Sequence, residues 1–220
     1  MLNLEQEKEL FGQGYKIIAG IDEAGRGPLA GPVVAAGVLI TQSSKFKTEK
    51  LQSIKDSKKL TAKKREELFD VIMSEFDEVG VGICDQQTID RINILQASFL
   101  AMKKAIGALK QKPDFIILDG HLPIPNCSYK QKTIVRGDER VFSIAAASII
   151  AKVTRDRIME EMHKKYPEYC FDRHKGYGTR LHLERLKKYG PCPIHRLSFR
   201  PVKNCRAVDK IKKFDNIDKI

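Results

Sequence analysis

A segment that is apolar on nearly every side follows residue 140 and strongly constrains the fold of this 220-residue chain. On a helix of 3.6 residues per turn, Val141 and Ile144 share one face, while Phe142 and Ile150 point elsewhere. Such a helix must be buried, and its small residues allow close approach to a β-sheet. We expect its polar continuation, residues 154–165, to reach the surface.

Strand patterns accompany this helix and predict an α/β protein. Short apolar runs predict strands at 16–23, 33–40, 79–84, 115–119 and 130–136. We expect the first two strands to form a hairpin, because only a glycine-rich turn separates them. Strands that then alternate with helices suit a mixed sheet covered by helices.

Three further helices are predicted from apolar residues at spacings of three and four. Thr61 is a candidate N-cap for the first, whose buried face is expected to include Met73. The second is expected to run unbroken from Thr88 to Lys110, since its apolar residues keep helical spacing throughout. The third spans Leu181 to Lys188, with Thr179 as its candidate cap.

Acidic residues stand at the ends of three predicted strands. Asp22 and Glu23 end the first strand, Asp119 closes the fourth, and Asp138 follows the fifth. Each Asp alone could be a turn former. Alternation along a strand points Asp22 and Glu23 to opposite faces, so we expect the strand to twist or break there. Together the carboxylates predict a site for Mg²⁺ or Mn²⁺.

A glycine-arginine-glycine turn follows the first acidic pair. Gly25 and Gly27 flank Arg26, and residues without a Cβ let main-chain N–H groups approach a substrate. The alternative interpretation is an ordinary hairpin turn with solvated acids. The later acids at equivalent strand ends favour a metal and phosphate site instead.

The chain is strongly basic, with a formal charge of +12. This charge predicts attraction to a polyanion such as nucleic acid, although many basic proteins are merely well solvated. Nine Lys or Arg and only two acids fall between Lys45 and Arg65. We interpret that segment as a candidate phosphate-facing surface.

Cysteine and hydropathy patterns indicate a cytoplasmic protein. Five scattered cysteines and the lack of a signal-like start favour free thiols in a reducing compartment. Cys170-x-x-x-His174 and Cys192-x-x-His195 have zinc-like spacing, but free thiols are the preferred interpretation. No stretch approaches the ~20 apolar residues that span a bilayer.

Six ordered motifs resemble the type 2 ribonuclease H family, ribonuclease HII, over about Ile17 to Arg200. They are Asp22-Glu23-Ala24-Gly25-Arg26-Gly27-Pro28, Asp56-Ser57-Lys58-Lys59-Leu60, the strand ending at Asp119-Gly120, Gly137-Asp138, the run from Ser143 to Asp156, and His174-Lys175-Gly176-Tyr177-Gly178-Thr179. Type 3 enzymes usually carry Gly-Lys-Gly at the turn and an added N-terminal domain, so the resemblance favours type 2.

The resemblance implies a ribonuclease H-like fold: a mixed sheet flanked by helices, with a small helical C-terminal part. The implied division is an N-terminal extension at 1–16, a catalytic core at 17–165, a C-terminal part at 166–205 and a basic tail at 206–220. The C-terminal part would contribute Tyr177 to a cleft shared with the core.

The resemblance also implies an endonuclease that hydrolyses the RNA strand of RNA/DNA hybrids and cuts at ribonucleotides embedded in duplex DNA. Two Mg²⁺ or Mn²⁺ ions would be held by Asp22, Glu23, Asp119 and Asp138. Substrate contacts would come from Gly25, Arg26, Gly27, Ser57, Lys58, Lys59 and Tyr177. The products would carry 3′-hydroxyl and 5′-phosphate ends.

The implied protein acts as a monomer, away from membranes, in DNA replication and repair. Two alternatives remain open from the sequence. One is a nucleic-acid binding module that has lost catalysis, which the retention of all the carboxylates opposes. The other is a different two-metal phosphodiesterase on a similar fold, which substrate cleavage patterns would distinguish. For Lys58 and Lys59, the plainer interpretation is a solvated charge run before a helix.

Overall fold

A mixed five-stranded sheet organises the protein, whose computed structural model describes residues 4–44, 54 and 60–205. The strands are β1 (Ile17–Ala24), β2 (Val33–Thr41), β3 (Glu78–Cys84), β4 (Phe115–Asp119) and β5 (Lys130–Ile134). Their order is β3-β2-β1-β4-β5. β1 and β2 form the predicted antiparallel hairpin, while β4 pairs parallel with both β1 and β5. β5 is shorter than predicted because Arg136 adopts a left-handed backbone, with φ 53°.

Helices precede, connect and follow these strands. They are α1 (Glu5–Gly12), α2 (Ala62–Glu75), α3 (Gln86–Gly107), α4 (Gly137–Arg140), α5 (Phe142–Lys165), α6 (Phe171–His174) and α7 (Arg180–Tyr189). Thr61 caps α2 and Thr179 caps α7 as predicted, each side chain accepting a backbone N–H at 3.3 Å. Among the described helices, none is long and apolar enough to cross a bilayer.

The chain divides into two compact units whose segments alternate along the sequence. The first unit contains the described parts of Met1–Ala24, Val34–Ile83 and Ser98–Thr154. The second contains the described parts of Gly25–Val33, Cys84–Ala97 and Arg155–Ile220. The consecutive segments inferred from the sequence, with boundaries at 16, 165 and 205, therefore stay a prediction. The proposed basic tail, 206–220, lies outside the described residues.

In the first unit, the amino-terminal half of α5 packs directly against β1. A Cβ placed on Gly20 would lie 2.4 Å from the Cβ of Ser143, so only glycine permits this approach. Ile144 joins a buried cluster with Ile18 of β1 and Leu10 of α1. This half of α5 is buried, as its apolar sequence predicts, and α1 shares the same core.

The opposite face of the sheet is covered by residues that include Leu109, just after the end of α3. Ile21 points away from its neighbour Gly20, because successive side chains on a strand alternate between faces. The side chains of Ile21 and Leu109 both lie beside Gly37 of β2. The sheet is therefore covered on both faces, as expected for a layered α/β unit.

Helix α3 is interrupted, contrary to the prediction of one unbroken helix. Asn93 has φ 66° and ψ 165°, and its Oδ1 accepts the Gln96 N–H at 3.1 Å. Its amide thus caps the following helical segment in place of a continuous backbone ladder. Beyond the break, Phe99 and Met102 are buried as predicted, whereas Ile92 before it is half-buried. Apolar periodicity on both sides hides such a break in the sequence.

The predicted burial of Met73 was wrong: Met73 is 49% exposed, and Leu68 and Ile72 form the buried face of α2. The carboxyl-terminal half of α5 reaches the surface as predicted, with 160–161 and 164–165 exposed. Within this half, however, Arg155 and Met159 are fully buried. The burial of a cation requires partners, and Arg155 finds them in distant backbone carbonyls.

In the second unit, the segment 25–33, called here the turn segment, is held by apolar anchors. Ala30 packs in a buried cluster with Met159. Leu29 packs in another with Leu186. The burial of Leu29 and Ala30 therefore holds the turn segment in place independently of its hydrogen bonds.

Candidate active site

Asp22 and Asp119 lie at the same edge of the sheet in the first unit. β1 and β4 are parallel, and their register pairs Ile21 with Leu118. The next residue on each strand is therefore the aspartate, and the two side chains leave adjacent strands at the same level. Ligand sites in open α/β sheets form at such carboxyl ends of strands.

Asp119 also connects this edge to Asp138. The Oδ1 atom of Asp119 accepts the N–H of Gly137 at 2.6 Å. Gly137 begins α4, so Asp138 occupies this short helix rather than the start of the long α5. Asp138 is buried. We call Asp22, Glu23, Asp119 and Asp138 the carboxylate edge.

Glu23 follows Asp22 without a break in the strand. Pairing with β2 continues regularly through Glu23 and Ala24. The break expected between the two acids comes at Gly25, where φ is +99°. The N–H of Glu23 donates to Oδ1 of Asp22 at 2.7 Å, which fixes the Asp22 carboxylate against its own backbone.

Like charges surround the buried Asp22 carboxyl. Burial raises the pKa of Asp22 well above its usual range, and the charges of Glu23 and Asp119 raise it further. Hydrogen bonds from the Ser148 hydroxyl and the Glu23 N–H oppose this increase. A divalent cation would replace the repulsion with attraction, so the donor set fits one chemically.

The carboxylate edge is not a preformed metal cage. Across the described residues, no three His, Cys, Asp or Glu side chains are already grouped closely enough to hold an ion. Asp22, Glu23 and Asp119 interact electrostatically, and Asp138 is joined to Asp119 through Gly137.

Ser148 supports this site, although the sequence did not single it out as a site residue. Its hydroxyl hydrogen-bonds the Asp22 carboxyl from α5. Residues 141–147 and 149–151 are buried, whereas Ser148 keeps partial exposure. In the sequence, the sign of such a role was a hydroxyl among the mostly apolar residues of this part of α5.

In the second unit, Arg196 holds the glycine-arginine-glycine turn. Its buried guanidinium donates to the carbonyls of Gly25 at 2.6 Å, Arg26 at 3.0 Å and Gly31 at 2.9 Å. Burial lowers the pKa of Arg196 to about 9, and the nearby charge of Arg155 contributes. The side chain is still a cation at neutral pH, and carbonyl dipoles stabilise it.

Arg155 holds the other part of the turn segment. It donates to the carbonyls of Pro32 at 3.0 Å, Ala30 at 3.1 Å and Lys175 at 2.9 Å. A Cβ on Gly25 would lie 2.2 Å from its Nε. Gly25 therefore lacks a side chain because Arg155 fills that space and because its φ is positive. Substrate approach is not needed to explain this glycine.

Tyr177 lies beside Gly27, where the turn is open. Its ring is 42% exposed, and a Cβ on Gly27 would have the Tyr177 Cε1 as its nearest neighbour, at 3.9 Å. The Arg155 guanidinium lies 5.7 Å from the centroid of the same ring. Arg26 and Gly27 are exposed as well. Three of the predicted substrate-binding residues thus form one exposed surface of the second unit.

Comparison of the sequence with known protein families identifies the family of this chain. The family model for Ribonuclease HII matches residues 19–202. The chain belongs to the ribonuclease HII family. A ribonuclease HII from Acetivibrio thermocellus is 58% identical over 193 residues, which cover 88% of this chain and 73% of that protein. One from Caldicellulosiruptor bescii is 52% identical over 195 residues, covering 89% and 92%.

Structural comparison agrees with this membership of the ribonuclease HII family. The crystal structure of the ribonuclease H2 from Pyrococcus horikoshii OT3 aligns with a TM-score of 0.73 at 30% identity, covering 88% of this chain and 99% of that one. The predicted ribonuclease H-like α/β fold is therefore confirmed. As a family member, the chain is a metal-dependent endoribonuclease.

One group of ribonuclease HII motif residues lies outside the described structure. Ser57, Lys58 and Lys59 are there, together with most of the basic stretch that begins at Lys45. Their contacts with phosphate stay a prediction.

The structure explains the zinc-like spacing of Cys170, His174, Cys192 and His195 without a metal. None of the five cysteines, all of which lie in the described part of the chain, forms a disulfide bond. The Nε2 of His174 bonds the Tyr169 carbonyl at 2.9 Å, and the Nδ1 of His195 accepts the Cys192 N–H at 3.0 Å. These ring nitrogens hold backbone groups, which accounts for both histidines without a metal.

Proposed function

We propose that this chain hydrolyses the RNA strand of RNA/DNA hybrids and also cuts beside ribonucleotides embedded in duplex DNA. Membership of the ribonuclease HII family supports the action on hybrids. The observation that carries the finer proposal is the buried Asp22 carboxyl, which the charges of Glu23 and Asp119 repel at adjacent ends of parallel strands. Carboxylates placed in this way are suited to concentrating positive charge at a phosphodiester.

Asp22, Glu23, Asp119 and Asp138 are the residues that would hold two divalent cations, Mg²⁺ or Mn²⁺. Such ions, when bound, activate water and stabilise the leaving oxygen of an in-line displacement. The chain's own residues prepare this chemistry. The Glu23 N–H and the Ser148 hydroxyl orient the Asp22 carboxylate, and the Gly137 N–H orients that of Asp119.

Recognition of ribose would rest on the exposed surface at Arg26, Gly27 and Tyr177. A 2′-hydroxyl is a donor and an acceptor that DNA lacks, so main-chain groups of an open turn can sense it. The Gly27 backbone is accessible because no side chain covers it, and the Tyr177 ring can pack against a sugar. Main-chain groups of Gly25 are proposed to take part in this recognition, while its missing Cβ also leaves room for Arg155.

Binding of the duplex would also use positive charge. The chain carries +12, and Ser57, Lys58 and Lys59 are proposed to contact phosphates. We propose that the products carry 3′-hydroxyl and 5′-phosphate ends. We propose that the chain acts as a monomer in removing ribonucleotides during DNA replication and repair.

Cleavage of defined duplexes tests this proposal. The substrates are a long RNA/DNA hybrid, a DNA duplex with one ribonucleotide, and the matching all-DNA duplex, each with and without Mg²⁺ or Mn²⁺. We expect cleavage of the first two only with metal, with 5′-phosphate on the downstream product. Cleavage of the all-DNA duplex, or metal-independent cleavage, would contradict the proposal.

A further inference from the structure

Three imidazoles lie buried in the second unit behind Tyr177. His174 is 7%, His182 0% and His195 1% exposed. The rings of His174 and His182 stack with centroids 4.4 Å apart, and Phe171 packs edge-on to both. The proposed chemistry uses none of these histidines.

Their hydrogen bonds have a single consistent direction. The Tyr177 carbonyl can only accept, so the Nδ1 of His182 donates to it at 2.9 Å. A neutral His182 must then accept at Nε2, and the Nε2 of His195, 3.0 Å away, is the donor. The Nδ1 of His195 in turn accepts from the Cys192 N–H at 3.0 Å. The chain of bonds therefore runs from Cys192 to Tyr177.

This direction requires neutral imidazoles, and the surroundings keep them neutral. Burial lowers the pKa of His182 to about 4, and burial together with the neighbouring His182 lowers the pKa of His195 to about 4. Burial also raises the pKa of the Cys192 thiol, 3.1 Å from the His195 ring, to about 11. At neutral pH each group carries its proton on one defined atom.

Catalysis and metal binding do not account for the arrangement. His182 and His195 are shielded from solvent, so neither can exchange a proton with a substrate. Both ring nitrogens of each are engaged in hydrogen bonds. The hydrogen bonds that begin at Cys192 end at the Tyr177 carbonyl. The same carbonyl also accepts the Thr179 N–H at 2.8 Å.

The backbone around Tyr177 leaves little freedom for its ring. Gly176 has φ +85°, and a Cβ placed there would lie 2.5 Å from the Ala30 carbonyl oxygen. The Gly176 carbonyl accepts the Leu29 N–H at 2.8 Å. The backbone on the amino-terminal side of Tyr177 is thus fixed by close packing, and the hydrogen bonds to the Tyr177 carbonyl fix the peptide on its other side.

We propose that His182, oriented by His195 and the Cys192 backbone, is a positioning residue that fixes Tyr177 for ribose recognition. This role rests on the proposed function of Tyr177. His182 acts through the Tyr177 carbonyl and does not touch substrate. The zinc-like Cys192-x-x-His195 spacing is thereby explained as the far end of the same hydrogen-bonded chain.

Two substitutions at one position test the role. His182→Leu removes both hydrogen bonds, whereas His182→Asn keeps an N–H donor near the position of Nδ1. We expect His182→Leu to lower kcat at a single embedded ribonucleotide about tenfold, as misplacement of a positioning group does, with Mn²⁺ affinity unchanged by calorimetry. His182→Asn should recover most of the loss. His163→Leu is the matched control, because His163 is a partly exposed histidine of the same unit, paired with Asp172.

Nitrogen-15 NMR of the unmodified protein measures the tautomers of His182 and His195 directly. This second test depends neither on the folding of a variant nor on activity. We expect the Nδ1–H tautomer for His182 and the Nε2–H tautomer for His195 at pH 7. The opposite tautomers, or parent kcat in folded His182→Leu, would overturn the positioning role. If His182→Leu does not fold, the His182→Asn kinetics and the tautomers decide. A parent protein that cuts no ribonucleotide substrate would contradict only the proposed function.

Discussion

The carboxylate edge of the first unit and the turn segment of the second differ in how their charges are satisfied. Asp22 is buried beside the like charges of Glu23 and Asp119, which keep its pKa raised. Arg155 and Arg196 are also buried charges, yet each donates to several backbone carbonyls. In the first region like charges repel one another, whereas in the second the buried cations are satisfied by carbonyls of the chain.

This difference separates binding from positioning. A buried group whose neighbours repel its charge gains most from an added cation, which supports the proposal that metal ions complete the carboxylate edge. A buried cation surrounded by carbonyls loses much if any partner moves, so the turn segment is built to stay in place. Substitutions in the two regions should therefore separate metal affinity from fold stability.

The largest effect is expected at the carboxylate edge. Asp22→Asn should lower cleavage on the order of 10³-fold, because it removes a proposed metal ligand from the reacting centre. Metal-free thermal stability should stay equal or rise, since one repulsion disappears. Asp70→Asn, at an exposed aspartate of α2, is the matched control. Parent-level activity in Asp22→Asn would remove Asp22 from the site.

A large loss of stability is expected in the turn segment. Arg155→Met should reduce the free energy of unfolding by about 3 kcal/mol, because the carbonyls of Ala30 and Lys175 lose this donor and that of Pro32 keeps Arg196 alone of the two arginines. Urea denaturation measures this change. Arg180→Met removes an arginine whose side chain is 93% exposed and should leave the free energy of unfolding nearly unchanged. Equal stability of the two variants would show that Arg155 does not hold the segment.

Acid should destabilise the protein through the buried histidines. The pKa of His182 and of His195 lies at about 4 in the fold, against an ordinary value of 6.5. The unfolded chain therefore binds more protons, and stability is lost as pH falls from 6.5 toward 4. The loss should reach up to about 3 kcal/mol for each histidine. Unfolding free energies measured at intervals from pH 7.5 to 4.5 check this, and a flat profile would contradict neutral burial.

A smaller and more selective effect is expected at Tyr177. Tyr177→Ala should lower cleavage at a single embedded ribonucleotide roughly 10- to 100-fold, because the sugar beside the scissile phosphate is no longer held. Long hybrids should suffer less, and Mn²⁺ affinity should survive. Tyr189→Ala is the control, since Tyr189 is similarly exposed at 44% in the same unit. Loss of metal affinity in proportion to activity would exclude this division of roles.

The smallest effect concerns Lys58 and Lys59. Binding to hybrid duplexes should weaken steeply with salt because the chain carries +12. Replacing either lysine by Ala should reduce the slope of log affinity against log salt by about one for each lost phosphate contact. Binding titrations between low and moderate salt measure the slope. An unchanged slope would show that these lysines are only a solvated charge run.

The carboxylate edge could be anticipated from sequence because its signals are local. An acidic residue directly after an apolar run is predicted to lie at the end of a strand. Parallel pairing of β1 and β4 then brings Asp22 level with Asp119. Asn93 shows where local reasoning fails. Its side chain caps a new helical segment, yet the apolar spacing around it continues as if the helix were unbroken.

The support of the turn segment could not be anticipated in the same way. Arg155 has the appearance of a surface residue on the polar half of α5, and its partners Ala30, Pro32 and Lys175 are distant in sequence. Gly25 likewise suggested access for a substrate, whereas the fold uses its space for Arg155. Burial of a cation becomes intelligible only once the carbonyls that surround it are known.

Anomalous diffraction from crystals of the protein grown with Mn²⁺ and a ribonucleotide-containing duplex tests the central claim most directly. The claim is that the carboxylate edge is completed by cations while the turn segment already holds its shape. We predict two manganese peaks at the scissile phosphate, bound by Asp22, Glu23, Asp119 and Asp138, with the Arg155 and Arg196 hydrogen bonds unchanged. Manganese bound elsewhere, or a turn segment rebuilt around the substrate, would contradict it.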